Sequence, residues 1–147
     1  MKRQPVRYAT IRLRPHIETE EFANVGVVLV APESNYFDYR IETRRTGRLE
    51  AFFPQAGAPF LHDALRHADR ELKRIRELAE NDSRDPPRAE LLFASLTKDR
   101  EGVISYSDIR HAIHTEPHRF IDELFDRYVL RSMTDRNSAL VTEGAAV

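Results

Sequence analysis

Apolar and polar positions first settle into a period of two. In residues 6–13, Ala9, Ile11 and Leu13 fall on one side, while Tyr8, Thr10 and Arg12, continued by Arg14, fall on the other. That alternation marks a half-buried strand. Residues 15–21 read as a polar connection. Residues 22–30 (FANVGVVLV) form a nearly continuous apolar, β-branched run, as expected of a central strand covered on both faces. Gly26 inside it signals a bulge or a close approach of two backbones. After the turn-forming residues 31–35, residues 36–42 alternate again, with Phe37, Tyr39 and Ile41 inward and Asp38, Arg40 and Glu42 outward. Short loops between these three strands predict an antiparallel meander.

The period then lengthens. Residues 48–53 predict one or two helical turns ended by Pro54. Over residues 59–80, Leu61, Ala64, Leu65, Ala68, Leu72, Ile75 and Ala79 recur at three- and four-residue steps against a charged face, the pattern of a long amphipathic helix. Residues 81–87 are turn-formers and read as a linker. A helix over 88–96 follows, then a short strand at 103–106 and a brief helix over 107–114 begun by Ser107. Thr115 is suited to cap a last helix with Pro117 in its first turn, extending to about residue 132. There Phe120, Ile121, Leu124, Phe125, Tyr128 and Val129 make the apolar stripe. The expected fold is α+β: an antiparallel meander of three to four strands with helices packed on one face, in the order βββ-α-α-α-β-α. Residues 1–133 are read as one domain and residues 134–147 as a flexible tail.

Composition narrows the chemistry. The 147 residues contain no cysteine, which removes disulfides, thiolate metal ligation and a cysteine nucleophile. No apolar run approaches the roughly 20 residues of a membrane helix, and the basic start lacks a signal-peptide core, so a cytoplasmic protein is expected. Net charge is only −1, but 20 of the 23 basic residues are arginine. Arg12 and Arg14 sit in an acid-free first 14 residues, and Arg40, Arg44, Arg45 and Arg48 form a second group, while residues 116–126 are net acidic. Basic and acidic surface is therefore expected to be segregated.

Few motifs carry chemistry. His111, His114 and His118 would share a face on one continuous helix, but Pro117 implies a helix start between them, so no metal site is expected. Glu18, Glu20 and Glu21 beside His16 read as a solvated turn. There is no nucleotide-binding glycine loop and no serine-nucleophile elbow, and no cofactor or catalytic residue is assigned. Tyr8, Arg12 and Arg14 on one strand face suggest a basic aromatic platform for single-stranded nucleic acid, which Asp38 and Glu42 on the same sheet would dilute. Asn24 is a poor strand residue in an apolar run. With side-chain-free Gly26 two positions on, it could frame a shallow polar notch beside Arg12 or Arg14, or else satisfy a loop backbone.

Three segments resemble a bacterial family of unknown function, DUF 3037. They are residues 8–15 (YATIRLRP) with 21–29 (EFANVGVVL), Arg45 with residues 48–54 (RLEAFFP), and residues 120–130 (FIDELFDRYVL). The resemblance spans most of the chain and brings no activity or site residues with it. It implies only company: small companions of kinase-like proteins of the persistence-toxin type.

The function expected is that of a noncatalytic protein-interaction module whose partner-binding residues are Arg12, Arg14, Asn24, Arg44 and Arg45, with a kinase-like protein as candidate partner. Nucleic acid is a less favoured partner, and membrane is not expected. The alternatives are a phosphoryl- or nucleic-acid-processing enzyme and a nucleic-acid-binding protein.

Overall fold

The alternating segments build one antiparallel sheet. In the computed structural model, which describes residues 2–81 and 88–135, β1 (Gln4–Leu13), β2 (Ala23–Ala31) and β3 (Tyr36–Ile41) form the expected meander. The long α2 (Ala58–Glu80) follows the short α1 (Gly47–Phe52), and α3 (Ala89–Leu96) precedes β4 (Ile104–Tyr106). The α+β class and the antiparallel sheet agree with the pattern of the sequence. The linker assigned to 81–87 falls almost wholly outside the described residues, as does the tail from residue 136.

Three features differ from expectation. First, the segment after Ser107 is not a helix. It is a fifth strand, β5 (Arg110–His114), so the order is βββ-α-α-α-β-β-α. β1 is ten residues long, and its second edge needs two short partners. β4 pairs its end, Ile11 to Leu13, and β5 pairs its beginning, Gln4 to Tyr8. Ser107 spans the break: its Oγ accepts from the Thr10 amide at 2.9 Å and its own amide donates to the Thr10 carbonyl at 3.1 Å. The sheet thus reads β3-β2-β1-β4, with β5 beside β4 on the same edge of β1.

Second, helices lie on both faces rather than one. Ala9, Ile11, Val28, Val30, Phe37 and Tyr39 pack against α1, α2 and α3 through Leu49, Leu61, Leu65, Leu72, Ile75 and Phe93. The other face, Val6, Tyr8, Val27, Leu29 and Ala31, is covered by Phe120, Ile121 and Leu124 of α4 (Pro117–Phe125), which runs on as a π-helix over Asp126–Asp135. The physical cause is β2, whose residues are apolar in both phases; leaving either face wet would forgo about 1.5–3 kcal/mol per large side chain. Third, α4 begins one residue later than its expected cap, with Glu116 rather than Thr115 at the N-cap.

Candidate functional site

β1 ends, β2 begins, β3 ends and β4 begins at the same end of the sheet. A bulge there sets which side chains meet. Ile11 pairs with Gly26 but Arg12 pairs with Asn24, so Val25 is the extra residue. Val25 joins the α2-side core, and the phase reverses behind it, bringing Asn24 to the face of Arg12. Bulges re-aim side chains in this way. The expected notch beside Asn24 is not made by Gly26, which lies opposite Ile11. A Cβ there would stand 2.4 Å from the Arg40 carbonyl oxygen and 2.9 Å from Ile11 Cδ1. Gly26 is needed for the close approach of β3, the other reading of that glycine.

Beside the bulge opens a cleft of about 600 Å³. Arg12 and Arg14 come from the end of β1, Arg100 and Glu101 from the turn before β4, and Ser105 from β4 itself. The β1–β2 connection supplies Glu18, Glu20, Ile17 and Phe22. Glu20 adopts a left-handed backbone (φ 62°) as the connection turns back toward β2. The Arg12 guanidinium lies over the Phe22 ring, 4.0 Å from its centroid, a cation–π stack. Its Nε is shielded from solvent without a hydrogen-bond partner, and so is Asn24 Oδ1 on the neighbouring strand. Burial, reinforced by the like charges of Arg110, Arg100 and Arg14 and opposed by Asp108, lowers the Arg12 pKa from its ordinary value. An arginine so placed remains charged, and its charge is incompletely compensated.

Arg14 and Arg100 are tied down more fully. Arg14 donates to the carbonyls of Arg100 and, at 3.4 Å, Ile17. Arg100 pairs with Asp108 at 2.6 Å. Arg44 and Arg45 lie at the same end of the sheet but on the β3 side, and neither lines the cleft. Both belong to a turn organised by Glu42, which is buried although its strand phase had pointed it outward. Glu42 accepts from the Arg44 and Arg45 amides at 3.0 Å and from the Arg45 guanidinium at 2.9 Å. Burial would raise the Glu42 carboxyl, but these bonds outweigh it and hold it below the ordinary range. The five expected binding residues therefore divide: Arg12, Arg14 and Asn24 come together, while Arg44 and Arg45 stand apart.

Asp38 was also expected outward, and it too is buried. It accepts from Tyr36 Oη at 2.7 Å, the Tyr39 amide at 2.8 Å, Arg76 at 3.0 Å and Arg40 at 2.9 Å. Burial pushes its carboxyl up, and these four donors together bring it below its usual value. Arg40 also reaches Asp122 of α4 at 2.9 Å, so the cluster ties β3 to α2 on one face and α4 on the other. Its partners are satisfied internally, which makes it a structural tie.

The histidines do not assemble. His111 and His114 sit three apart on β5 and so point to opposite faces. His114 stacks on Phe120 at 4.7 Å, its Nδ1 accepting from the Glu116 amide. Among the described residues, no three or more His, Cys, Asp or Glu side chains are grouped to hold a metal ion. Sequence reasoning missed Arg100, Ser105 and Phe22 as cleft residues. Their signal was indirect, since placing Arg100 and Ser105 beside Arg12 requires knowing that β4 pairs with the end of β1.

The model of a family described as a protein of unknown function, DUF3037, matches residues 8–129. The chain belongs to the DUF3037 family. No curated protein and no solved structure matches it. The matched span runs from the middle of β1 into the π-helix, so it covers every element that lines the cleft.

Proposed function

We propose that this DUF3037 protein is a noncatalytic protein-interaction module of the bacterial cytoplasm that grips an anionic group of its partner in the Arg12 cleft. The observation carrying this reading is Arg12 itself: a guanidinium stacked on Phe22, its Nε lacking a hydrogen-bond partner, beside an open cleft. A guanidinium preset on an aromatic face loses little freedom when it takes a carboxylate or phosphate. The lining supports a protein partner over a polynucleotide. Three arginines there are interleaved with Glu18, Glu20 and Glu101 and with apolar Ile17 and Phe22. A phosphodiester backbone would meet the glutamates as repulsion, whereas a protein surface can answer both signs. Among the described residues no helix is long and apolar enough to cross a membrane. A kinase-like protein of the persistence-toxin type is the first partner to test.

The experiment is an affinity capture from the bacterial host with the intact chain and with Arg12→Ala. One protein should be recovered, weaken as salt rises through about 0.1 M, where exposed charges are screened beyond about 10 Å, and be lost with Arg12→Ala. Arg44→Ala with Arg45→Ala should retain it. Recovery of nucleic acid instead, or equal recovery with Arg12→Ala, rejects the reading.

A further inference from the structure

We propose that the outer edge of β5 docks an extended acidic segment of a partner protein as an added strand. The proposal stands apart from the Arg12 cleft and does not require it. β5 pairs with β1 alone among the described residues. Among the described residues no strand lies on its outer side and no side chain hydrogen-bonds to its main chain. In an antiparallel pair every second residue turns its N–H and C=O away from its partner, so this edge presents main-chain donors and acceptors in strand geometry. Such an edge is a template for strand addition, in which main-chain bonds supply affinity and alternate side chains supply selectivity.

The side chains around that edge indicate what fits. Arg110, His111 and Ile113 are exposed, Ile113 by 59%, and Arg110 is steadied by one hydrogen bond to the neutral Tyr128 hydroxyl at 2.7 Å, which leaves its charge unanswered. None of the five residues Arg110–His114 is acidic; Arg7 of β1, directly across from His111, is already paired with Glu90 of α3, so Arg110 is the cation this edge offers. A second copy is a poor occupant. Two β5 strands paired antiparallel about Ala112 would set Arg110 against His114, whose Nδ1 already accepts from the Glu116 amide, and His111 against Ile113, so each copy's Arg110 would enter the seam with no acid to meet it. A foreign strand with the opposite charge has no such conflict. Laid antiparallel, it would place an apolar residue opposite Ile113, any residue opposite Ala112, and acids opposite His111 and Arg110. From its amino end that is the pattern apolar, any, acid, acid.

The test uses the intact protein and two acetylated eight-residue peptides, one built around Val-Thr-Glu-Glu and one with lysines in place of the glutamates. Binding is followed by amide hydrogen exchange resolved by residue. The glutamate peptide should slow exchange at alternate amides within 110–114 and bind about tenfold more tightly than the lysine peptide. His111→Glu, a change at an exposed position, should bring the two peptides to within about twofold of each other. Arg12→Ala should leave this protection unchanged. The proposal is overturned by absence of protection, by equal binding of the two peptides, or by protection confined to the residues around Arg12 and Arg100. Sedimentation showing the free chain dimeric, with the same amides protected, would make the second copy the occupant and overturn it too.

Discussion

At the β3 edge of the sheet, a carboxylate and a guanidinium close off the main chain. Asp38 takes the Tyr39 amide and Arg40 donates to the Tyr39 carbonyl, both at 2.8 Å, while Arg76 reaches across from α2 to hold the carboxylate in place. At the β5 edge, Arg110 is held by the Tyr128 hydroxyl at 2.7 Å, His111 and Ile113 are exposed, and among the described residues no strand pairs with the side of β5 turned away from β1. Sheets must manage both edges, because an unpaired ladder recruits whatever strand it meets. One edge here is plugged by side chains that also pin two helices. The other carries Arg110 and no acid, which disfavours its own copy and leaves it open to a strand of opposite charge.

The largest effect should come from unplugging β3. Asp38→Ala leaves Arg40 and Arg76 facing a half-buried gap and frees the Tyr39 amide. The two arginine side chains are 32% and 31% exposed, so solvent screens part of the loss. A destabilisation of about 3 kcal/mol is expected in urea denaturation, with concentration-dependent association as the edge opens. A change under about 0.5 kcal/mol would show that β3 is held by its ladder to β2 alone. The acid limb sharpens the same point. Asp38 and Glu42 titrate below their ordinary values when folded. Their contribution is therefore complete above the unfolded carboxylate range near about 4 and is lost as pH falls through the lower folded values. Urea midpoints measured down to acid pH should decline across that window, less steeply in Asp38→Asn.

A smaller loss is expected where β3 meets the bulge. Gly26→Ala drives a methyl group into the Arg40 carbonyl and the Ile11 side chain, and overpacking of this kind costs about 1–3 kcal/mol. Because the obstructing atom is backbone, β3 must shift, so the Asp38 cluster should loosen with it. A Gly26→Ala chain as stable as the parent would place the close approach elsewhere. The smallest effect belongs to β5. Ile113→Thr keeps strand preference and removes exposed apolar surface, and its stability should stay within about 0.5 kcal/mol of the parent by thermal melting. A substantial loss would mean that this edge is part of the core after all.

The histidine segment shows why one strand was illegible. In residues 107–114 the few apolar residues, Ile109, Ala112 and Ile113, fall at helical steps behind a capping serine, and Arg110–His114 is mostly exposed, so local pattern pointed to a helix and away from a strand. The strand exists because β4 is only three residues long and leaves half of β1 unpaired. Asp38 and Glu42 were misplaced for a related reason. Alternation assigns a face, but it does not say that α4 covers that face or that arginines arrive from α2 and the following turn.

Strong local periodicity by itself determined the three-stranded meander and the long α2, because these follow from apolar spacing, whereas it left Gly26 open between a bulge and a close approach until β3 was in place. It also put Arg12 and Arg14 on one strand face and singled out Asn24. Only the tertiary structure decided that Asn24 and Arg12 share a face, since a one-residue bulge at Val25 reverses the phase of everything before it. It alone joined Arg100 and Phe22 to Arg12, set Arg45 on Glu42, and left one sheet edge closed and the other open. Those outcomes depend on how the chain turns back on itself, over separations from three residues for Arg45 and Glu42 to 88 for Arg12 and Arg100, and the period of apolar residues does not encode which of them will meet.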